Sequence, residues 1–501
     1  MRYQNPVIPG FYPDPSVCRV GDDYYLVNSS FGYFPGVPIW HSNDLVHWRQ
    51  LGYCLTRESQ LQLNKSSVSS GGIYAPTLRY HAGRFYMVTT NVDEGGHFYV
   101  WTHDPAGVWS DPIYVDQPGI DPSLFFDDDG KVYFTSTGGM QSEGIYQCAI
   151  DIETGQKLSD TRLIWTGTGG AFPEGPHVYK INGYYYLMCA EGGTEYGHME
   201  TIARGETPNG PFESCPFNPI LSHRSLNRPI HATGHADLVQ AQDGRWWTVF
   251  LGIRPVRFPY RHHLGRETFL APVAWTDDGW PVIGNHGTVE LEMETETLPV
   301  AAWEEEAEVD HFDETELGAK WNFIRNSHDV DLSLEERKGW LSLRGSNVNL
   351  TDSGTPAFIG CRQRHFECEI STKLEFHPQE GDEAGLAVYM NERHHYCIGV
   401  TEINGSRVIT FRRQVGSMTI DRHSAPIEAP IVDLRIQATP ERYVFSYQAS
   451  DQHWHILGEA ETHLVSTEVA GGFTGVFFGL YSYSTTGVAA YFDWFRYRKG
   501  L

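Results

Sequence analysis

One short plan is written five times along the first half of this chain, and that repetition limits the fold more than any single residue does. The strings are DPSVCRVGDDYYLV from Asp14, APTLRYHAGRFYMV from Ala75, DPSLFFDDDGKVYF from Asp121, EGPHVYKINGYYYL from Glu174 and HADLVQAQDGRWWTV from His235. Each begins at a distinctive residue, runs through a short alternating strand to a Gly-containing turn, and returns as an aromatic strand. That is the pattern of a β-hairpin. The starts lie 61, 46, 53 and 61 residues apart, a spacing that suits about four strands per unit, the size of a β-propeller blade. Five blades then fill residues 1–292.

In a propeller the innermost strands all run the same way along the axis, so equivalent strand heads converge at one end. Asp14, Asp121, Glu174 and His235 are therefore expected in one axial mouth, with Ala75 and Tyr74 on the fifth side. Taken singly, an aspartate before a strand is most often a turn cap. Capping gives no reason for glutamate or histidine at the matching repeat positions. Three carboxylates in one mouth repel each other, and such clusters persist where shifted pKa values serve function.

Composition excludes several classes. The net charge of −26, from 63 acidic and 37 basic residues among 501, has the wrong sign for a surface that tracks phosphates, so nucleic acid is not an expected partner. Aromatic residues at 13% and 51 glycines suit an all-β chain of short strands and tight turns. No apolar run approaches the roughly 20 residues of a membrane span, and MRYQNPVIPG does not read as a secretory leader; a cytoplasmic protein with no membrane partner is expected. Cys18, Cys54, Cys148, Cys189, Cys215, Cys361, Cys368 and Cys397 show no CxxC pair or ligand spacing and are expected as reduced, mostly buried thiols. No nucleotide loop, zinc motif or GxSxG elbow occurs, and no organic cofactor is expected.

Between Glu290 and Glu316 there are 12 acidic residues and no Lys or Arg, which reads as a solvated, partly extended linker over residues 293–309. Beyond it, in residues 310–501, GWLSLRG, FECEISTKLEF, GLAVYM, YCIGVTEI, RVITFRRQV, TGVFFGLYSY and AYFDWFRY alternate apolar and polar positions, the pattern of a β-sandwich.

The five hairpins, together with SSFGYFPGVPIWHSNDLVHW, SGGIYAPTL, AEGGT, GHADLV and LGRET, resemble glycoside hydrolase family 43. The second half is similar to the concanavalin-like jelly-roll sandwich of that family's β-xylosidase and α-L-arabinofuranosidase branch. The resemblance implies an inverting exo-hydrolase with Asp14 as general base, Glu174 as general acid, and Asp121 orienting the acid and tuning its pKa. This agrees with the chemistry of glycoside cleavage, which needs one carboxylate to activate water and one carboxyl to protonate the leaving oxygen. It also implies that Arg266 binds sugar hydroxyls, that Phe31 and Tyr74 form an apolar wall, and that His235 faces a hydrated calcium ion or similar cation. A single imidazole would leave most of such a site to water. Tyr74 and Thr77 stand where relatives read tryptophan and aspartate, which bears on the choice of sugar.

The expected function is release of terminal xylose, and of arabinose, from short oligosaccharides. A mainly α-L-arabinofuranosidase or an endo-acting arabinan hydrolase is the alternative, and a non-catalytic sugar-binding protein a distant one. A homo-oligomer is left open.

Overall fold

The turns between paired strands set the architecture. Between the strands Glu174–Ile181 and Tyr184–Glu191, Asn182 and Gly183 both take positive φ, 50° and 85°, as the two-residue turn that best matches strand twist requires. The structure, a computed structural model, describes residues 1–63, 68–139, 144–304 and 306–500. Five antiparallel four-stranded sheets occupy the first half, each built from one contiguous segment: residues 16–55, 77–115, 123–165, 174–214 and 231–283. These are the five blades, numbered 1 to 5 in chain order. The ring closes through an Ile8–Thr268 bridge and through Arg2–Gln4, which pairs with Glu292–Glu294.

Apolar faces of neighbouring blades pack on one another. Val27 and Ile39 of blade 1 meet Leu78, Met87 and Val100 of blade 2 in one buried cluster, each side chain contributing about 1.5–3 kcal/mol by leaving water. Between the inner strands the filling is polar. The Asp237 carboxylate accepts bonds from Ser16 Oγ (2.6 Å), Arg79 Nη1 (2.8 Å) and Tyr179 Oη (2.6 Å), which ties blades 1, 2, 4 and 5 together. Burial pushes its pKa up, but Arg79, His177 and the hydrogen bonds outweigh burial and hold it at about 2.

The second half is a sandwich of two sheets around its own core. Ile431–Ala438 shows the expected alternation, with Val432, Leu434, Ile436 and Ala438 inward. Glu383–Asn391 is instead buried on both faces: Leu386 and Val388 face the sandwich core, while Ala387 and Tyr389 pack with Phe11 and Phe31 of the propeller. One sandwich sheet even continues into the propeller chain, where Phe323 pairs with Phe34.

The acidic linker does not float free. Ala301 N donates to Asp44 Oδ2 (2.9 Å), the Trp303 indole donates to His47 O (3.1 Å), and Glu306 pairs with Arg364 (2.8 Å). Its described carboxylates face solvent, while its backbone is tied to the propeller at Ala301 and to the sandwich at Glu308, whose carbonyl accepts from Tyr497 N. All eight cysteines are free and buried. Among the described residues no helix is long and apolar enough to cross a membrane.

Candidate active site

Four of the five inner strands enter through the same kink. Asp14, Asp121, Gly175 and His235 have φ of 52°, 55°, 57° and 51°, a left-handed conformation that costs most side chains energy and concentrates at functional sites. Each stands two residues before the regular hairpin register, which begins at Ser16, Ser123, His177 and Asp237. The repeat as read from the sequence puts Glu174 level with Asp14. In the structure the counterpart is Gly175, and Glu174 lies one residue further out, paired with Ala190 across a β-bulge. The φ alone does not call for glycine at 175, since Asp14, Asp121 and His235 share it; the space does, because a Cβ there would fall 2.9 Å from Cε1 of the His235 ring.

Asp14 is buried and held from three sides. Asn28 Nδ2 donates to Tyr12 O (3.0 Å) and Pro13 O (2.9 Å), fixing the preceding backbone. Ser29 Oγ donates to one carboxylate oxygen, and Arg266 Nη1 donates to the other at 2.8 Å. His235 Nδ1 lies 4.0 Å from the same oxygen. Burial holds this imidazole below its ordinary pKa, against the pull of Asp14, so it is neutral.

Asp121 and Glu174 form the other half of the cluster. Burial, then the nearby Glu174 and Asp14 carboxylates, push Asp121 well above the usual carboxylate range, although Gly175 N–H donates to it at 3.3 Å. Burial, then Asp14, raise Glu174 to about 7, with Arg266 opposing. Burial and the crowding of carboxylates thus favour the protonated form of both groups. Glu174 Oε1 also lies 4.0 Å from Nε2 of His198. That ring is neutral, pushed down to about 4 by burial, and its Nδ1 bonds Ala232 O at 3.1 Å, leaving Nε2 as an acceptor facing the acid.

Arg266 spans the mouth. Besides Asp14 it donates to Thr194 Oγ1 (3.1 Å) and Phe473 O (3.4 Å), while its buried Nε has no partner among the described residues. Glu267 pairs with Arg254 (2.7 Å), which leaves Arg266 directed into the site. Phe31, Tyr74 and Phe473 pack together with ring centroids 5.1 to 6.1 Å apart. The structure thus brings together all seven residues singled out from the sequence: Asp14, Asp121, Glu174, Phe31, Tyr74, Arg266 and His235.

Sequence reasoning missed Ser29, Thr194, His198, Glu191 and Phe473. Glu191 organises the loop before Glu174 by accepting bonds from Thr168 N (2.8 Å), Thr168 Oγ1 (3.1 Å) and Gly170 N (2.8 Å). Its signal was present in AEGGT, where an acid breaks an otherwise apolar strand. Phe473 comes from the sandwich, and only the preceding Gly471–Gly472 marks its loop. A calcium ligand set is not assembled: among the described residues no group of three or more His, Cys, Asp or Glu side chains could hold an ion. His235 offers one imidazole, and the carboxylate nearest it is already bonded to Ser29 and Arg266. These residues do not fit a directly ligated cation.

The family model for Glycosyl hydrolases family 43 matches residues 3–281, and that for the beta xylosidase C-terminal Concanavalin A-like domain matches residues 309–498. The chain belongs to glycosyl hydrolase family 43. Within family 43 it is 47% identical to a non-reducing end alpha-L-arabinofuranosidase, BoGH43B, of Bacteroides ovatus, over 99% of this chain and 94% of that one. A beta-xylosidase of Bacillus subtilis is 35% identical over the full length of both. Among solved structures, the Bacteroides ovatus xyloglucan-locus GH43B protein superposes with a TM-score of 0.96 at 46% identity, covering 100% of both chains. A xylan beta-1,4-xylosidase of Bacillus halodurans gives 0.94 at 36% identity, covering 99% of this chain and 100% of that one. The propeller with a concanavalin-like sandwich and the glycoside hydrolase class follow from this membership.

Proposed function

We propose that this glycoside hydrolase removes single pentose units, xylose and arabinose, from the non-reducing ends of short oligosaccharides, with inversion of configuration. The observation that carries the reading is the division of labour within one mouth. Asp14 is charge-paired with Arg266 at 2.8 Å, whereas Glu174 is raised to about 7 and so still holds its proton near neutral pH. One is equipped to accept a proton from water and the other to give one to the leaving oxygen. They stand on blades 1 and 4, which are not neighbours in a five-membered ring, and this supports the separation of about 6.5–9.5 Å that leaves room for a water between acid and base. Phe473, reaching in from the sandwich, supports a pocket closed on one side and hence exo action.

Asp121 acts through Glu174, since the Gly175 N–H bond ties it to the residue after the acid and the Glu174 carboxylate lies close enough to help raise it. The forked guanidinium of Arg266 suits vicinal sugar hydroxyls. A hydrated divalent cation beside His235 would adjust the local field, and no step depends on it. The eight unpaired thiols support a reducing, cytoplasmic setting. The likeness to the Bacteroides ovatus arabinofuranosidase favours arabinofuranosides as the preferred substrates over xylosides.

Rates on matched aryl β-D-xylosides, α-L-arabinofuranosides and β-D-galactosides test the proposal. Both pentosides should turn over, with the galactoside slower by on the order of 10²-fold because its hydroxymethyl group finds only the aromatic wall. Binding of the pentoses without turnover of any substrate would instead support a sugar-binding protein.

A further inference from the structure

One aromatic side chain on the rim above Glu174 has no part in the machinery described so far. Phe172 lies two residues before Glu174 and is 67% exposed. Its φ is 53°, a conformation that a bulky residue adopts only when its surroundings impose it. Here the surroundings are explicit. Glu191 grips Thr168 and Gly170 upstream, Gly192 N donates to Ala171 O at 2.6 Å, and the ring rests on Gly193, where a Cβ would meet Phe172 Cδ2 at 3.2 Å. The residue after Gly193 is Thr194, which accepts a bond from Arg266. The ring is therefore fixed at the pocket edge. Phe31, Tyr74 and Phe473 spend their faces on one another, whereas Phe172 has no ring partner among the described residues and keeps one face open.

The general acid protonates the glycosidic oxygen, so the leaving sugar lies on the acid's side of the scissile bond. We propose that Phe172 is the stacking platform for that leaving-group sugar, taking the C–H face of a pyranose ring against its own. This rests on the hydrolase reading above and extends it to a second sugar subsite. An aromatic ring held in advance costs little ordering on binding.

The test compares kcat/KM on xylobiose with that on β-D-xylosyl fluoride, whose leaving group is one atom and cannot stack. Phe172→Ala should lower the oligosaccharide-to-fluoride ratio by about 3- to 10-fold, the range of aromatic stacking contacts, with the loss mainly in KM. Phe172→Trp should restore the ratio. If Phe172→Ala lowers both substrates equally, the side chain shapes the Glu174 loop and the proposal is wrong; an unchanged ratio also overturns it. If the unaltered protein cleaves neither substrate, the hydrolase reading itself has failed, a result seen before any variant is made.

Discussion

Asp14→Asn is expected to lower kcat/KM by about 10² to 10⁴ on every substrate, whatever its leaving group, because activation of water is a step all of them share. Asparagine is the informative replacement on structural grounds. Position 14 has φ of 52°, which asparagine tolerates better than most residues, and its amide oxygen can still accept from Arg266. Alanine would leave that buried guanidinium without its charge partner and would cost stability as well, by about 3–5 kcal/mol if the pair behaves as buried ion pairs do. Rates measured beside melting temperature separate the two effects. A substrate-dependent loss, large for some leaving groups and negligible for others, would remove Asp14 from the role of base.

Glu174→Gln should give the opposite pattern. An alkoxide leaves poorly and needs a proton, while a nitrophenolate departs with little help. Hydrolysis of xylobiose should therefore fall by about 10² to 10⁴, and that of a nitrophenyl pentoside far less. In the unaltered protein the rate on poor leaving groups should decline as pH rises through about 7, where Glu174 gives up its proton, and this limb should vanish in the variant. The same shift has a thermodynamic side. Glu174 and Asp121 both have folded-state pKa values above their unfolded ones, so the folded protein binds more protons than the unfolded chain in that window. Their contribution to stability is greatest below the unfolded values and is lost as pH rises toward the folded ones. Replacing Glu174 by glutamine removes the buried charge, and the variant should melt no lower than its parent at pH 8. Equal slowing of good and poor leaving groups in a variant of unchanged melting temperature would show that Glu174 is not the general acid.

The reach of the sequence follows from where each constraint is written. The blades were legible because hairpin periodicity is local: Asp14, Asp121 and His235 fall at equivalent strand heads in the structure as they do in the repeat. The one-residue offset of Glu174 was not legible, since a β-bulge leaves no mark in hydrophobic alternation and Gly175 passes for an ordinary turn residue. The linker read as solvated because its charges are; that Ala301 and Trp303 tie its backbone to Asp44 and His47 depends on packing between distant segments. Phe473 reaches the pocket from more than 200 residues beyond Arg266, whose Nη2 it accepts through a main-chain carbonyl, a contact that belongs to no motif. Glu191 and His198 stand within the described strands of blade 4 or beside them, and their roles come from partners in other loops.

Asp14 as base activates water and does not attack carbon itself, and proton NMR of the first sugar released tests this most directly. Early spectra during hydrolysis of an aryl β-D-xyloside should show α-xylose forming first, with the β-anomer growing in only as mutarotation proceeds. β-Xylose appearing first would make the reaction a double displacement through a covalent intermediate and would contradict the assignment of Asp14 as base.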